Sequence, residues 1–218
     1  MLGEAARFPT RSPVTRLHLA PFLVLALLGV RTARGQACSE PHYRWSEKID
    51  STLAGKQPTA VDVSDVLAWA PRPLTSKDRC AARAGQELNL YSVTAFVRRI
   101  RLHEQDGDWH IEITEEETSP VPTSCIVVEI PSPAYGRLYG EARDHLAALV
   151  DTLQLSPAGD LATPVLVRFT GAAFFDGYHQ KRTASGGARA SQHGRCNSSV
   201  RALWELHPVY KVDTPPGP

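Results

Sequence analysis

Three histidine–carboxylate pairs stand out in this chain of 218 residues: His110 with Glu112, Asp176 with His179, and Glu205 with His207. In the first and third pairs the partners are two residues apart, which puts both side chains on one face of an extended strand. Imidazoles and carboxylates are the donors that a divalent ion such as Zn²⁺ takes. They are also the acid and base groups that serve at a phosphodiester. The competing reading is a polar strand face whose histidines satisfy their ring nitrogens on neighbouring carboxylates. Parity sets the expectation. Trp109, Ile111 and Ile113 need the core, which turns His110 and Glu112 the other way, and Trp204 and Leu206 do the same for Glu205 and His207. His110, His179 and His207 are therefore expected on one side of the fold, within reach of Glu112 or Glu205. The residues demand no cofactor; the one they could hold is a divalent metal such as Zn²⁺.

Two further groups carry charge. Residues 177–201 contain Lys181, Arg182, Arg189, Arg195 and Arg201 and no acid, an arrangement able to bind an anionic polymer such as nucleic acid. The segment has no aromatic between Tyr178 and Trp204 to stack a base, and its Gly, Ser and Ala content reads as a mobile insertion. Glu104, Asp106 and Asp108, with Glu115 to Glu117 beyond, could be metal-binding acids. Asp106-Gly107-Asp108 reads more simply as a hairpin connection with solvated carboxylates. No phosphate loop, nucleophile elbow or dinucleotide fingerprint is present.

The compartment follows from the two ends of the composition. Residues 1–35 join a basic lead to an apolar run, Phe22 to Val30, far shorter than the roughly 20 residues of a membrane-spanning helix. Small residues follow at Ala33 and Gly35, so the segment reads as a cleaved signal peptide, and contact with a membrane is expected only through it. The whole chain carries 24 basic and 23 acidic residues; without the five and one that lie in 1–35 its charge is about −3, so any basic surface is local. An exported, periplasmic or secreted chain with Cys38, Cys80, Cys125 and Cys196 is expected to form up to two disulfides, with all three pairings open.

The elements that must position these groups start at residue 86. Residues 36–85, with four prolines and one short helix near Val61–Trp69, read as an N-terminal appendage too small for its own core. From 86 to 213 the pattern is strand, strand, strand, helix, strand, strand. Tyr91, Val93, Ala95 and Val97 alternate, then the phase slips and Ile100 and Leu102 take over the apolar face, the mark of a bulge and a bend. Strands are expected over 108–114, 125–130, 164–170 and 202–212, a helix over 137–155, and a disordered tail over 214–218. A long bent first strand with a helix between the third and fourth strands is the order of an OB-fold, so the expected class is mainly β: an OB-like five-stranded barrel with a small N-terminal appendage.

Four segments come in fixed order: Asp106-Gly107-Asp108-Trp109-His110, Val128-Glu129-Ile130-Pro131, Gly171 to His179 with Phe174-Phe175-Asp176 at its centre, and Glu205-Leu206-His207-Pro208-Val209. Together they resemble a poorly characterised family of bacterial exported OB-fold-like proteins. The resemblance covers about residues 86–213 and implies an OB-like domain but no activity. Residues 180–201 depart from it, because similar proteins pass almost directly from the histidine of the third segment to the last strand.

The reading that results is an exported OB-like binding or interaction module for an unidentified ligand or protein. The alternatives are a divalent-metal-dependent phosphodiesterase built on the histidine–carboxylate cluster, and anionic-polymer binding by the 177–201 loop.

Overall fold

The computed structural model describes residues 38–121, 123–190, 193–215 and 217. The expected signal peptide lies outside the described residues, as does part of the expected 214–218 tail. Cys38–Pro218 forms one compact unit, and the protein is mainly β. Among the described residues no helix is long and apolar enough to cross a membrane.

Among the described residues the unit has eight strands and three α-helices, besides short 3-10 turns: α1 (Trp45–Lys48), β1 (Thr59–Ala60), α2 (Val63–Ala68), β2 (Leu90–Arg101), β3 (Trp109–Thr114), β4 (Cys125–Ile130), α3 (Arg137–Leu149), β5 (Asp160–Phe175), β6 (Gln180–Arg182), β7 (Ala188–Ala190) and β8 (Trp204–Asp213). Six of the strands share one mixed sheet in the order β1-β2-β3-β4-β8-β5, and β2 pairs with β5 as well. All pairings are antiparallel except β1 with β2 and β4 with β8.

β2 joins two neighbours because it is long and bent. It pairs with β5 from Leu90 to Arg99 and with β3 from Phe96 to Arg101, and the register shifts between Val97 and Arg99 in both ladders. That shift is the phase slip visible in the sequence. The sheet differs from the expected five strands in two places. Thr59 and Ala60 of the appendage add a parallel edge beside Tyr91 and Ser92. The 177–201 segment folds β6 and β7 into a separate ribbon around a Thr183–Gly187 turn. The helix also stops earlier than its periodicity promises: Val150 is already extended, and Leu153 is left 95% exposed.

One apolar core fills the inner face. Val93, Ala95, Val97, Ile111, Ile113, Phe169, Leu206 and Val212 from the strands meet Tyr139, Ala142 and Leu146 of α3. Leu53, Val63, Val66 and Leu74 of the N-terminal segment enter the same core. α2 starts where Asp65 accepts from the Asp62 backbone N–H at 3.0 Å. Its end lays Trp69 edge-on to Trp204, with ring centroids 5.4 Å apart. Disulfides join Cys38 to Cys80 and Cys125 to Cys196, and no cysteine is free.

The N-terminal segment is fastened by a buried ion pair. Arg44 meets Glu87 in a two-pronged contact at 2.7 and 3.0 Å, both side chains fully buried. Glu87 also accepts the Phe175 backbone N–H at 2.8 Å and pairs with Arg72, so it fixes the end of β5 from which Asp176 emerges. Removing Glu87 leaves the Arg44 charge buried without its carboxylate. Glu87→Ala is expected to cost about 3–5 kcal/mol in urea unfolding. A change within about 0.5 kcal/mol, as at an ordinary surface position, would contradict this role.

Candidate functional site

β3, β4 and β8 turn their second faces to the same place. Across the β3–β4 ladder His110 stands opposite Glu129, and in the parallel β4–β8 pair Val127 stands opposite Glu205. Two residues further along their strands, Glu129 and His207 share that face. The parity expected of His110, Glu112, Glu205 and His207 holds, but the polar face is not solvated. All four are 5% exposed or less.

The cover comes from three sources. Lys48 at the end of α1 lies 3.7–3.9 Å from Asp106, Glu129 and Asp176. Asp176 ends β5, where one carboxylate oxygen accepts the Tyr178 backbone N–H at 3.0 Å. The third source is the segment after β7. There Gly194 adopts φ +55°, and a Cβ on it would sit 2.5 Å from Glu112 Oε1 and 2.7 Å from His110 Nε2. Only glycine lets this backbone approach so closely. The Cys125–Cys196 bridge ties the same segment to the start of β4, which places His193 fully within the site.

The contacts form one network. Glu129 Oε1 lies 2.8 Å from His110 Nδ1, and Glu129 Oε2 lies 2.9 Å from His207 Nδ1. Glu205 bridges two rings, with Oε1 at 3.1 Å from His207 Nδ1 and Oε2 at 3.1 Å from His193 Nε2. His193 Nδ1 faces the Cys196 carbonyl at 3.3 Å. His207 Nε2 lies 3.1 Å from Asp108 Oδ2.

Electrostatics follow from this crowding. Burial alone would lower the histidine pKa values, but hydrogen bonds to Glu112 and Glu129 push His110 up to about 9. The Glu205 contact raises His193 against its burial. His207 rises well above its ordinary value, because Asp108, Glu129 and Glu205 outweigh burial and Lys48. Burial works in the other sense on the acids and is again outweighed. Glu112 falls to about 2 through His110 and Arg195. Glu205 falls to about 2 through His193 and His207, against burial and Glu129. Lys48, His110 and His207 hold Glu129 well below the carboxylate range against its burial.

Asp176, His193 and Glu205 offer donor atoms within 4.8 Å of one another, and so do Asp108, Glu129 and His207. Over the first group opens a cleft of about 490 Å³, lined among others by Lys48, His110, Glu129, Asp176, His179 and His193. His179 sits on its wall, 3.8 Å from Asp176 and with its ring centroid 5.5 Å from that of His193. Burial and the neighbouring His193 lower its pKa.

The structure therefore brings His110 and His207 together on Glu129, and sets His179 beside Asp176 and His193 instead. Glu112 is drawn off to guanidinium partners. Its Oε1 accepts the Arg195 backbone N–H at 2.8 Å and lies 3.3 Å from Arg99, and its Oε2 lies 2.5 Å from Arg195 Nε. Arg195, which also pairs with Asp160 at 2.6 Å, is thus committed internally, while Lys181, Arg182 and Arg189 are exposed on the β6–β7 ribbon. Asp108 is fully buried, which corrects its reading as a solvated turn acid.

Glu129, His193 and Lys48 are the residues that pattern reasoning passes over. Glu129 had a usable signal, a single carboxylate inside the apolar strand Cys125–Ile130. His193 had a weaker one, three residues before a cysteine expected to be bridged. Lys48 had none, since only tertiary packing brings α1 over the site.

The shifts set a pH optimum for stability in protein stripped of divalent ions. Groups from β3, β4 and the 193–195 segment (Glu112, Glu129, His193 and Arg195) surround His110. Its folded pKa of about 9 exceeds the ordinary 6.5, so its contribution is complete below about 6.5 and lost as pH rises through about 9. Glu112 and Glu205, held near 2 against 4.5, contribute above about 4.5 and lose this as pH falls toward 2. The thermal midpoint is expected to be highest between about pH 4.5 and 6.5 and to fall on both sides. A midpoint that climbs steadily from pH 6.5 to 9 would contradict the assignment.

No protein-family model, curated protein or solved structure matches this chain.

Proposed function

We propose that this is an exported OB-like binding module whose cleft is floored by a divalent-cation site made of Asp176, His193 and Glu205. The observation that carries the reading is the state of the His193 ring. Nδ1 faces a backbone carbonyl, which only accepts, so Nδ1 holds a proton. Nε2 then faces Glu205 Oε2 from 3.1 Å. A lone pair facing a carboxylate needs a cation between or beside them, either a second proton or a metal ion. An imidazole anchored through Nδ1–H to a carbonyl is how metal-ligating histidines are commonly oriented. His193 Nε2 and Glu205 Oε2, 3.1 Å apart, suit one ion with bonds of about 2.0–2.2 Å, and Asp176 offers a donor within 4.8 Å of both.

The opening above the site supports a binding role. Structural ions are closed in by protein, whereas an ion that meets a ligand keeps an open side. The same opening favours a second reading, metal-assisted hydrolysis of a phosphodiester, in which the bound ion supplies an activated water.

The OB-like reading of residues 86–213 is supported by the ring of pairings β2-β3-β4-β8-β5-β2, with β4 and β8 its parallel pair and α3 between β4 and β5. The four-segment resemblance agrees with that reading. Two disulfides support a compartment outside the cytoplasm, and with residues 1–35 they support export.

The test is Zn²⁺ titration of full-length protein purified without a histidine tag. About one readily exchanging equivalent is expected in the cleft. Asp176→Asn, which can keep the turn contact to Tyr178, and His193→Ala are expected to abolish it while circular dichroism stays unchanged. Absence of exchangeable Zn²⁺, or binding that both variants preserve, would overturn the cleft site. Hydrolysis of a phosphodiester substrate by the Zn²⁺-loaded protein, absent from Asp176→Asn, would select the second reading.

A further inference from the structure

In the other donor group, Asp108, Glu129 and His207, only Glu129 reaches the cleft. Asp108 precedes β3, Glu129 lies on β4 and His207 on β8. Asp108 and His207 are completely buried, and neither is among the residues that line the cleft.

Burial makes their polar atoms informative. Neither carboxylate oxygen of Asp108 makes a hydrogen bond, and neither does His207 Nε2, although Nε2 and Oδ2 are only 3.1 Å apart. Such burial is costly for Asp108, because desolvation removes its water and only the edge of the His207 ring stands in its place. Arg143 lies on this side, but its Nη2 donates to the carbonyls of Gly107 and Ile130 at 2.6 and 2.8 Å. It makes no ion pair with Asp108 among the described residues. Lys48 faces Glu129 from the cleft side at 3.7 Å.

The His207 ring is set up for a ligand at Nε2. Its Nδ1 lies between Glu129 Oε2 at 2.9 Å and Glu205 Oε1 at 3.1 Å, so that nitrogen carries the proton. A carboxylate on Nδ1–H fixes the tautomer and makes Nε2 a better donor, the usual outer arrangement around a metal-bound histidine. Nε2 and Asp108 Oδ2 then stand at the separation expected of two ligands on one ion.

We propose that Asp108 and His207 Nε2 hold a second divalent cation, closed off from solvent, with Glu129 and Glu205 fixing the ring from its Nδ1 side, and that its role is to tie the start of β3 to β8. The cleft ion is open and exchanges; this one is enclosed and exchanges slowly. The proposal does not depend on the cleft reading: Glu205 touches both rings, but Asp108 and His207 Nε2 are no part of the cleft site.

Exchange rate separates the two. Full-length, tag-free protein is refolded with Zn²⁺ and, in a parallel sample, with Mn²⁺. Both are then passed through a chelator column and their metal content is read by elemental analysis. The expected result is about one equivalent retained by the wild type and by Asp176→Asn, and none retained by Asp108→Asn. Prolonged heating with chelator is expected to strip the wild type and lower its thermal midpoint by several degrees. Wild-type protein that retains neither ion overturns the proposal without reference to any variant. So does retention by a folded Asp108→Asn. Should Asp108→Asn fail to fold, the wild-type retention and the chelator-dependent midpoint decide. One equivalent retained after the column, with no readily exchanging equivalent bound before it, counts against the cleft site and leaves this one standing.

Discussion

A carboxylate that gives up water must gain a cation or a set of donors, and this protein buries Asp108, Glu112, Glu129, Asp176 and Glu205 around one point. Glu112 has Arg99 and Arg195. For the other four, Lys48 is the one fixed side-chain cation within 4 Å among the described residues. The remaining charge falls to His110, His193 and His207. If each carries a second proton, the four carboxylates are balanced by three imidazolium ions and one ammonium. Raised histidine pKa values and lowered glutamate ones are two views of that balance.

Much of the architecture outside the sheet serves to keep this face covered. The 177–201 segment, by composition a plain insertion, sends His193 and Arg195 inward and is pinned by Cys196. The N-terminal segment supplies Lys48 and presses Arg44 and Arg83 against the strand ends: Arg83 donates to the carbonyls of Ala173 at 2.6 Å and His207 at 3.0 Å. Each arginine is itself balanced, Arg44 by Glu87 and Arg83 by Glu47. A purely apolar cover would satisfy neither the carboxylates nor the backbone groups at the strand ends. The two disulfides constrain the two covering segments, which bury less apolar surface than the strands do.

The sequence carried the strand alternation, the slip in β2, the short α2 and the face shared by His110, Glu112, Glu205 and His207, because periodicity and local chemistry determine these. It misjudged depth. Alternation of apolar and polar residues implies one wet face, and here both faces are buried, so Asp108 and Glu112 were read as more exposed than they are. It also could not join segments distant along the chain. Nothing near Lys48 announces that α1 will cover β4, and nothing near His193 announces Glu205. The wide spacing of the four cysteines left the pairing open, and with it the anchoring of His193.

Protons and metal ions are alternatives in such a network, which gives the site its chemical character. An imidazolium and a metal-bound imidazole both neutralise the carboxylate opposite Nε2, but a ring cannot be both. Binding of a divalent ion at His193 or His207 must therefore release the Nε2 proton, and affinity must rise with pH as that proton becomes easier to lose. Lys48 opposes the ion by repulsion from 3.7–3.9 Å off the same carboxylates. The ammonium keeps the cleft floor neutral in the proton-filled state and limits how much positive charge it accepts. A site built in this way gains a cation by losing protons, and the burial that makes the exchange costly also keeps water from substituting for either.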